Sequence, residues 1–93
     1  MISLGATKID EELIDAINTY VKYVAKVRGW KLNPNANIRN AIVKKLAENL
    51  IKYGHLYCPC RIEKTRDTIC PCVYAEREIE ENGYCHCRLY VKH

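Results

Sequence analysis

Apolar side chains return every three or four residues through the first half of the chain, and that rhythm then fades. Ile9, Leu13, Ile14, Ile17, Tyr20, Val21, Val24 and Val27 share one face of a helix predicted from about residue 8 to 28. Thr7 with Asp10 three residues later resembles a capping box, and Gly29 supplies a stop. The stretch KLNPNAN then punctuates the chain, with Pro34 enforcing a turn. A second helix is predicted from about 37 to 53, with Asn37 as its cap and Gly54 as its stop. Its apolar face is Ile38, Ala41, Ile42, Leu46, Leu50 and Tyr53. A third, shorter helix is predicted over about 73 to 82, from Val73 through Ile79, ending at Asn82-Gly83. The tail CRLYVK alternates weakly, as a short extended piece does.

The pattern predicts a small, mainly α-helical single domain spanning residues 1–93, with a helical half (1–55) leading into a half (56–93) poor in apolar residues. A chain of this size builds only a thin core, which a metal or a disulfide would staple. Neither G-x-G-x-x-G nor G-x-x-x-x-G-K-[ST] occurs, so any electrons the protein uses arrive from another molecule. MISLGATKIDEEL has no basic start followed by a long apolar run, and no membrane-spanning run occurs, so a cytoplasmic protein is expected. The formal charge of +4 fits an acidic protein partner but is too small to argue for nucleic acid.

All six cysteines lie in the second half, in three Cys-x-Cys pairs: Cys58/Cys60, Cys70/Cys72 and Cys85/Cys87. Pro59, Pro71 and His86 are the spacers. In extended chain, residues i and i+2 point the same way, and proline pushes its predecessor toward that geometry. Each Cys-Pro-Cys is therefore expected to present both sulfurs to one side, with Cα atoms roughly 6 to 7 Å apart, near the upper limit for a disulfide within the pair. The pairs must converge on something or cross-link to one another. A structural zinc site takes four ligands and leaves two thiols unexplained. A three-disulfide scaffold has no secretion signal to support it. An iron–sulfur cluster takes four thiolates and leaves two, the count for one redox-active disulfide. The arithmetic alone does not say which four.

YCPCR, CPC and CHCRLY, in that order after a helix ending in KYGHL, resemble the catalytic (beta) chain of ferredoxin:thioredoxin reductase. The resemblance covers about residues 30 to 91 and, more loosely, the first helix. The gaps between pairs are nine and twelve residues, where plant-type chains have a longer first gap and a shorter second. The likeness is thus to a bacterial or archaeal ferredoxin:disulfide reductase. It implies a fold of helices packed around a 4Fe-4S cluster with cysteine-rich loops. By position, Cys58, Cys70, Cys72 and Cys85 would ligate the cluster, while Cys60 and Cys87 would form the redox-active disulfide beside it. The implied enzyme takes single electrons from ferredoxin and reduces a thioredoxin or glutaredoxin-like protein, with or without a small companion subunit. Cys60 would attack the target disulfide, Cys87 would resolve the mixed disulfide, and His86 would supply or take the proton. The alternative is a non-catalytic iron–sulfur or zinc-binding module whose spare cysteines are structural.

Arg61, directly after the first pair, is either a solvated side chain or a cation placed to lower the pKa of Cys60. Arg61, Lys64, Arg66, Arg77 and Arg88 flank the cysteines and suggest a basic docking face. His55, His93, Trp30 and the seven tyrosines read as helix-end, terminal and packing residues.

Overall fold

A computed structural model of the chain describes residues 10–93. Asp10 begins them, and its carboxylate accepts a hydrogen bond from the Leu13 N–H at 2.9 Å, capping α1 (Glu11–Arg28). Thr7 and Ile9, assigned to the same helix start, lie outside the described residues. Glu11 and Glu12 occupy the first turn and Lys26 and Arg28 the last, complementing the helix dipole at both ends. Gly29 ends the helix at φ 75°, a left-handed conformation that side chains resist.

The next segment departs from expectation. Lys31 and Leu32, predicted as punctuation, join Trp30 in a strand, β1 (Trp30–Leu32), which pairs antiparallel with β2 (Tyr90–Lys92) in the register Trp30↔Lys92, Lys31↔Val91, Leu32↔Tyr90. The cap of α2 (Ala36–Tyr53) is Asn35 rather than Asn37: the Asn35 side chain accepts from the backbone N–H groups of Asn37 and Ile38. Asn37 already lies within the first helical turn, where its own N–H is the group to be satisfied. α3 (Ala75–Asn82) begins two residues later than predicted, because Val73 and Tyr74 form a turn closed by the Ala75 N–H on the Cys72 carbonyl (3.0 Å).

α1 buries Ile17, Val21, Val24 and Ala25, while Val27, assigned to this face, is largely exposed. α2 buries Ile42, Val43, Leu46 and Ala47, and Ala41 and Tyr53 are exposed instead. The stripe on α2 is rotated because this helix serves two neighbours, α1 and the cysteine-bearing half, and Ile42 faces the latter. One continuous core results, in which Leu46, Ile79, Leu89 and Tyr90 pack with five of the cysteines. Leu46 is fully buried at its centre. Leu46→Ala should destabilise the protein by roughly 2–5 kcal/mol, read as a lowered thermal midpoint of the intact protein. A midpoint unchanged by the substitution would mean that the core lies elsewhere.

Candidate functional site

Two short pieces of backbone pairing bring the cysteines together. The first joins residues 56–58 to 68–70: the Cys58 N–H donates to the Thr68 carbonyl (2.7 Å), the Cys70 N–H to that of Leu56 (2.8 Å), and Tyr57 bridges Ile69. The buried Thr68 hydroxyl holds the loop between them by donating to the Glu63 carbonyl at 2.8 Å. The second is a hairpin whose arms meet at Tyr84 and Val91, with the Cys85 N–H on the Tyr90 carbonyl (3.0 Å). α1 reaches in from the side, its Tyr20 hydroxyl donating to the Cys70 carbonyl at 3.1 Å.

The Cys-Pro-Cys segments are not the extended stretches predicted. Cys58–Arg61 is a turn, with the Arg61 N–H on the Cys58 carbonyl (3.2 Å), and Cys85–Arg88 is another, with the Arg88 N–H on that of Cys85 (2.7 Å). The backbone gains a hydrogen bond by turning, which an isolated extended tripeptide lacks. The middle pair flanks a cis peptide bond between Cys70 and Pro71. Turning separates the sulfurs of the first pair: Cys58 is buried and Cys60 is exposed. Cys70, Cys72, Cys85 and Cys87 are buried, and with Cys58, His86 and Tyr90 they line one recess.

No disulfide joins any two of the six cysteines in this structure. The Cys87 sulfur lies 2.7 Å from that of Cys58. Cys87 is thus packed against a residue expected as a ligand. Thiol acidity follows burial and crowding. A hydrogen bond with Cys72 favours the Cys58 thiolate, but contact with Cys87 and burial outweigh it and push Cys58 up to about 11. Burial, followed by the neighbouring Cys58, pushes Cys70 higher still; at Cys72 the hydrogen bond to Cys58 leads, followed by burial. Burial also raises Cys60. The Arg61 charge opposes this only weakly, because its guanidinium turns to Glu78 (2.5 Å) and to the Cys72 sulfur (4.0 Å). Arg61 is therefore an internal half-buried cation, neither solvated nor dedicated to Cys60.

The donors lining the recess are five thiols with His86, and no carboxylate is among them. Tyr90 touches it at both ends: its N–H donates to the Cys85 sulfur at 3.4 Å, and its buried hydroxyl, without a hydrogen-bond partner among the described residues, lies against Cys70. An orphaned hydroxyl beside a thiol is a donor waiting for a negatively charged sulfur. Among the described residues, no group of three or more His, Cys, Asp or Glu side chains is gathered to hold a single metal ion. A mononuclear zinc site needs its sulfurs about 2.3 Å from one point, whereas a four-iron cluster binds each thiolate to a different iron and is surrounded by them. The gathered thiols and the donors aimed at them have the chemistry that such a cluster requires.

His86 is exposed on its turn beside Cys87. Sequence reasoning missed Tyr90 and Glu78 as site residues. The alternation of CRLYVK carried a weak signal for Tyr90; none marked Glu78, whose partners lie 17 and 8 residues away. Of the seven tyrosines, read as packing, five are exposed (Tyr20, Tyr23, Tyr53, Tyr74 and Tyr84), while Tyr90 packs inside against Trp30, the two rings tilted with centroids 5.2 Å apart.

The fold and site define a small helical domain that gathers thiols at one recess and leaves one of them at the surface. A model of the ferredoxin thioredoxin reductase catalytic beta chain matches residues 7–93, and the chain belongs to that family. The family's name implies an oxidoreductase acting on disulfides, with ferredoxin and thioredoxin as partners. No curated protein matches the chain. No described helix is long and apolar enough to cross a membrane.

Proposed function

We propose that the protein is a ferredoxin-dependent disulfide reductase acting on a thioredoxin or glutaredoxin-like protein in a reducing cytoplasm. One observation carries the reading: Cys60 is exposed, while its partner Cys87 is buried 2.7 Å from Cys58. A non-catalytic module with structural cysteines gives no reason for one thiol at the surface beside five that are buried.

A 4Fe-4S cluster held by Cys58, Cys70, Cys72 and Cys85 would supply the one-electron steps that convert ferredoxin's single electrons into a two-electron reduction. The remaining chemistry belongs to the chain. The Cys60 thiolate attacks the target disulfide, forming one S–S bond as another breaks and a target thiolate leaves. Cys87 then attacks the Cys60 sulfur, releasing the second target thiolate and leaving a Cys60–Cys87 disulfide. Two electrons and two protons return that disulfide to the dithiol. His86, adjacent to Cys87, is the group we assign to carry the proton.

Arg77 pairs with Glu81 on the surface and Arg61 with Glu78 inside, so Lys64, Arg66 and Arg88 are what remains of the basic face expected to meet an acidic ferredoxin. Protein supplied with reduced ferredoxin should reduce a thioredoxin disulfide, and Cys60→Ser should abolish this. The rate should fall modestly as salt rises, through weaker association. No turnover of any thioredoxin or glutaredoxin-like disulfide would overturn the reading; turnover indifferent to salt would remove only the basic docking face.

A further inference from the structure

The half-buried carboxylate of Glu78, on α3, touches both turns that carry the reactive cysteines. One oxygen, Oε2, accepts from the Arg61 guanidinium at 2.5 Å. The other, Oε1, accepts from the His86 backbone N–H at 3.1 Å. Arg61 immediately follows Cys60 and His86 immediately precedes Cys87. A single side chain therefore grips the neighbour of each reactive cysteine.

The rest of the arrangement fixes this grip. Arg61 lies over the Tyr74 ring at 4.8 Å, and its backbone carbonyl is held by the Lys64 ammonium at 2.8 Å. Its Nε is buried and has no hydrogen-bond partner among the described residues. A guanidinium so desolvated depends on its carboxylate. The Arg61 and Glu78 side chains are 23% and 22% exposed, whereas the other ion pair among the described residues, Arg77–Glu81, is 82% and 62% exposed and free to exchange with water. A merely decorative surface pair would resemble the second.

We propose that Glu78 is a positioning residue for the disulfide chemistry: through Arg61 and the His86 N–H it holds the two turns in register, so that the Cys60 and Cys87 thiols stay within bonding reach as their bond opens and closes. The proposal rests on the reductase reading for the identity of these two thiols. Its physical content is effective concentration. Closing the ring converts two thiols into one S–S bond, and the less the turns wander, the more often the sulfurs meet.

The test is the equilibrium between glutathione disulfide and the dithiol of anaerobic holoprotein, in which the disulfide closes as two glutathione thiols form. Alkylation and peptide mapping read the fraction closed. Glu78→Ala removes both contacts and should lower the closure constant about tenfold relative to the unsubstituted protein. Glu78→Gln keeps an acceptor for the His86 N–H but loses the charge on Arg61, and should fall between the two. Arg61→Met should match Glu78→Gln, and the double substitution should cost no more than either alone, the signature of one shared interaction. Iron content and thermal midpoint, measured alongside, separate lost register from a damaged fold. Should Glu78→Ala fail to fold, Glu78→Gln and Arg61→Met carry the same comparison. Unchanged closure constants in variants that fold, or strictly additive losses, would overturn the role of Glu78 alone. An unsubstituted protein that forms no Cys60–Cys87 disulfide at any glutathione ratio would overturn the reductase assignment and this proposal together.

Discussion

Anaerobically prepared protein should be brown and carry about four irons and four sulfides per chain. Serine in place of Cys58, Cys70, Cys72 or Cys85 should remove most of that content, whereas Cys60→Ser should leave it. The fold makes the cost of losing the cluster large. From residue 57 onward the core is Ala75, Ile79, Leu89 and Tyr90 together with sulfurs, too little apolar area to hold the loops by itself. Five thiols crowd one another in that space, and at Cys58 and Cys70 mutual repulsion and burial oppose ionisation. Iron bound by four of these thiolates would neutralise them, and its binding energy would also be folding energy. Apoprotein should accordingly lose most tertiary structure after residue 57 while α1 and α2 persist, a difference that hydrogen exchange resolves by segment. Native material with stoichiometric zinc and no sulfide would overturn the cluster assignment.

The second large effect should separate the two reactive cysteines. Cys87→Ser leaves Cys60 able to attack a target but removes the group that resolves the product, so a stable mixed disulfide with the target should accumulate through Cys60. Cys60→Ser should trap none, because Cys87 is buried against Cys58 where a partner's sulfur has no access. Alkylation of reduced protein should follow the same asymmetry and label Cys60 first, since thiol reactivity requires exposure. Burial raises the pKa of Cys60, so access rather than acidity is expected to decide the order. Peptide mapping reads both experiments. Preferential labelling of Cys87, or a mixed disulfide trapped by Cys60→Ser, would reverse the two roles while leaving the reductase reading in place.

The three helices were legible in the sequence because their causes are local: apolar spacing and the glycine stops at Gly29, Gly54 and Gly83 all act within a few residues. β1 was not legible. Three residues carry too little alternation to register, and Trp30–Leu32 is a strand only because Tyr90–Lys92 lies beside it. The convergence of the cysteines followed from their number and spacing, but the exposure of Cys60 alone did not. It arises from a backbone turn at Cys58–Arg61, closed by the Arg61 N–H on the Cys58 carbonyl, in which Pro59 takes the second position, one that proline favours. Arg61 was noticed for its place in the chain, yet its bond to Glu78 depends on how α3 packs, which no short stretch encodes.

The pairing of β1 with β2 has a topological consequence. Residues 33–89 lie between the two strands, so this small sheet fastens a loop on which every cysteine is threaded. Loop closure costs entropy that grows only slowly with length, and few backbone hydrogen bonds are present here to offset it. Anything that gathers the sulfurs shortens the free loop before the clasp forms and so favours the clasp. By reciprocity, a closed clasp keeps the sulfurs gathered. The sheet and the thiol recess, although built from different chemistry, should therefore open and close as one unit, the clasp serving as a drawstring on the site.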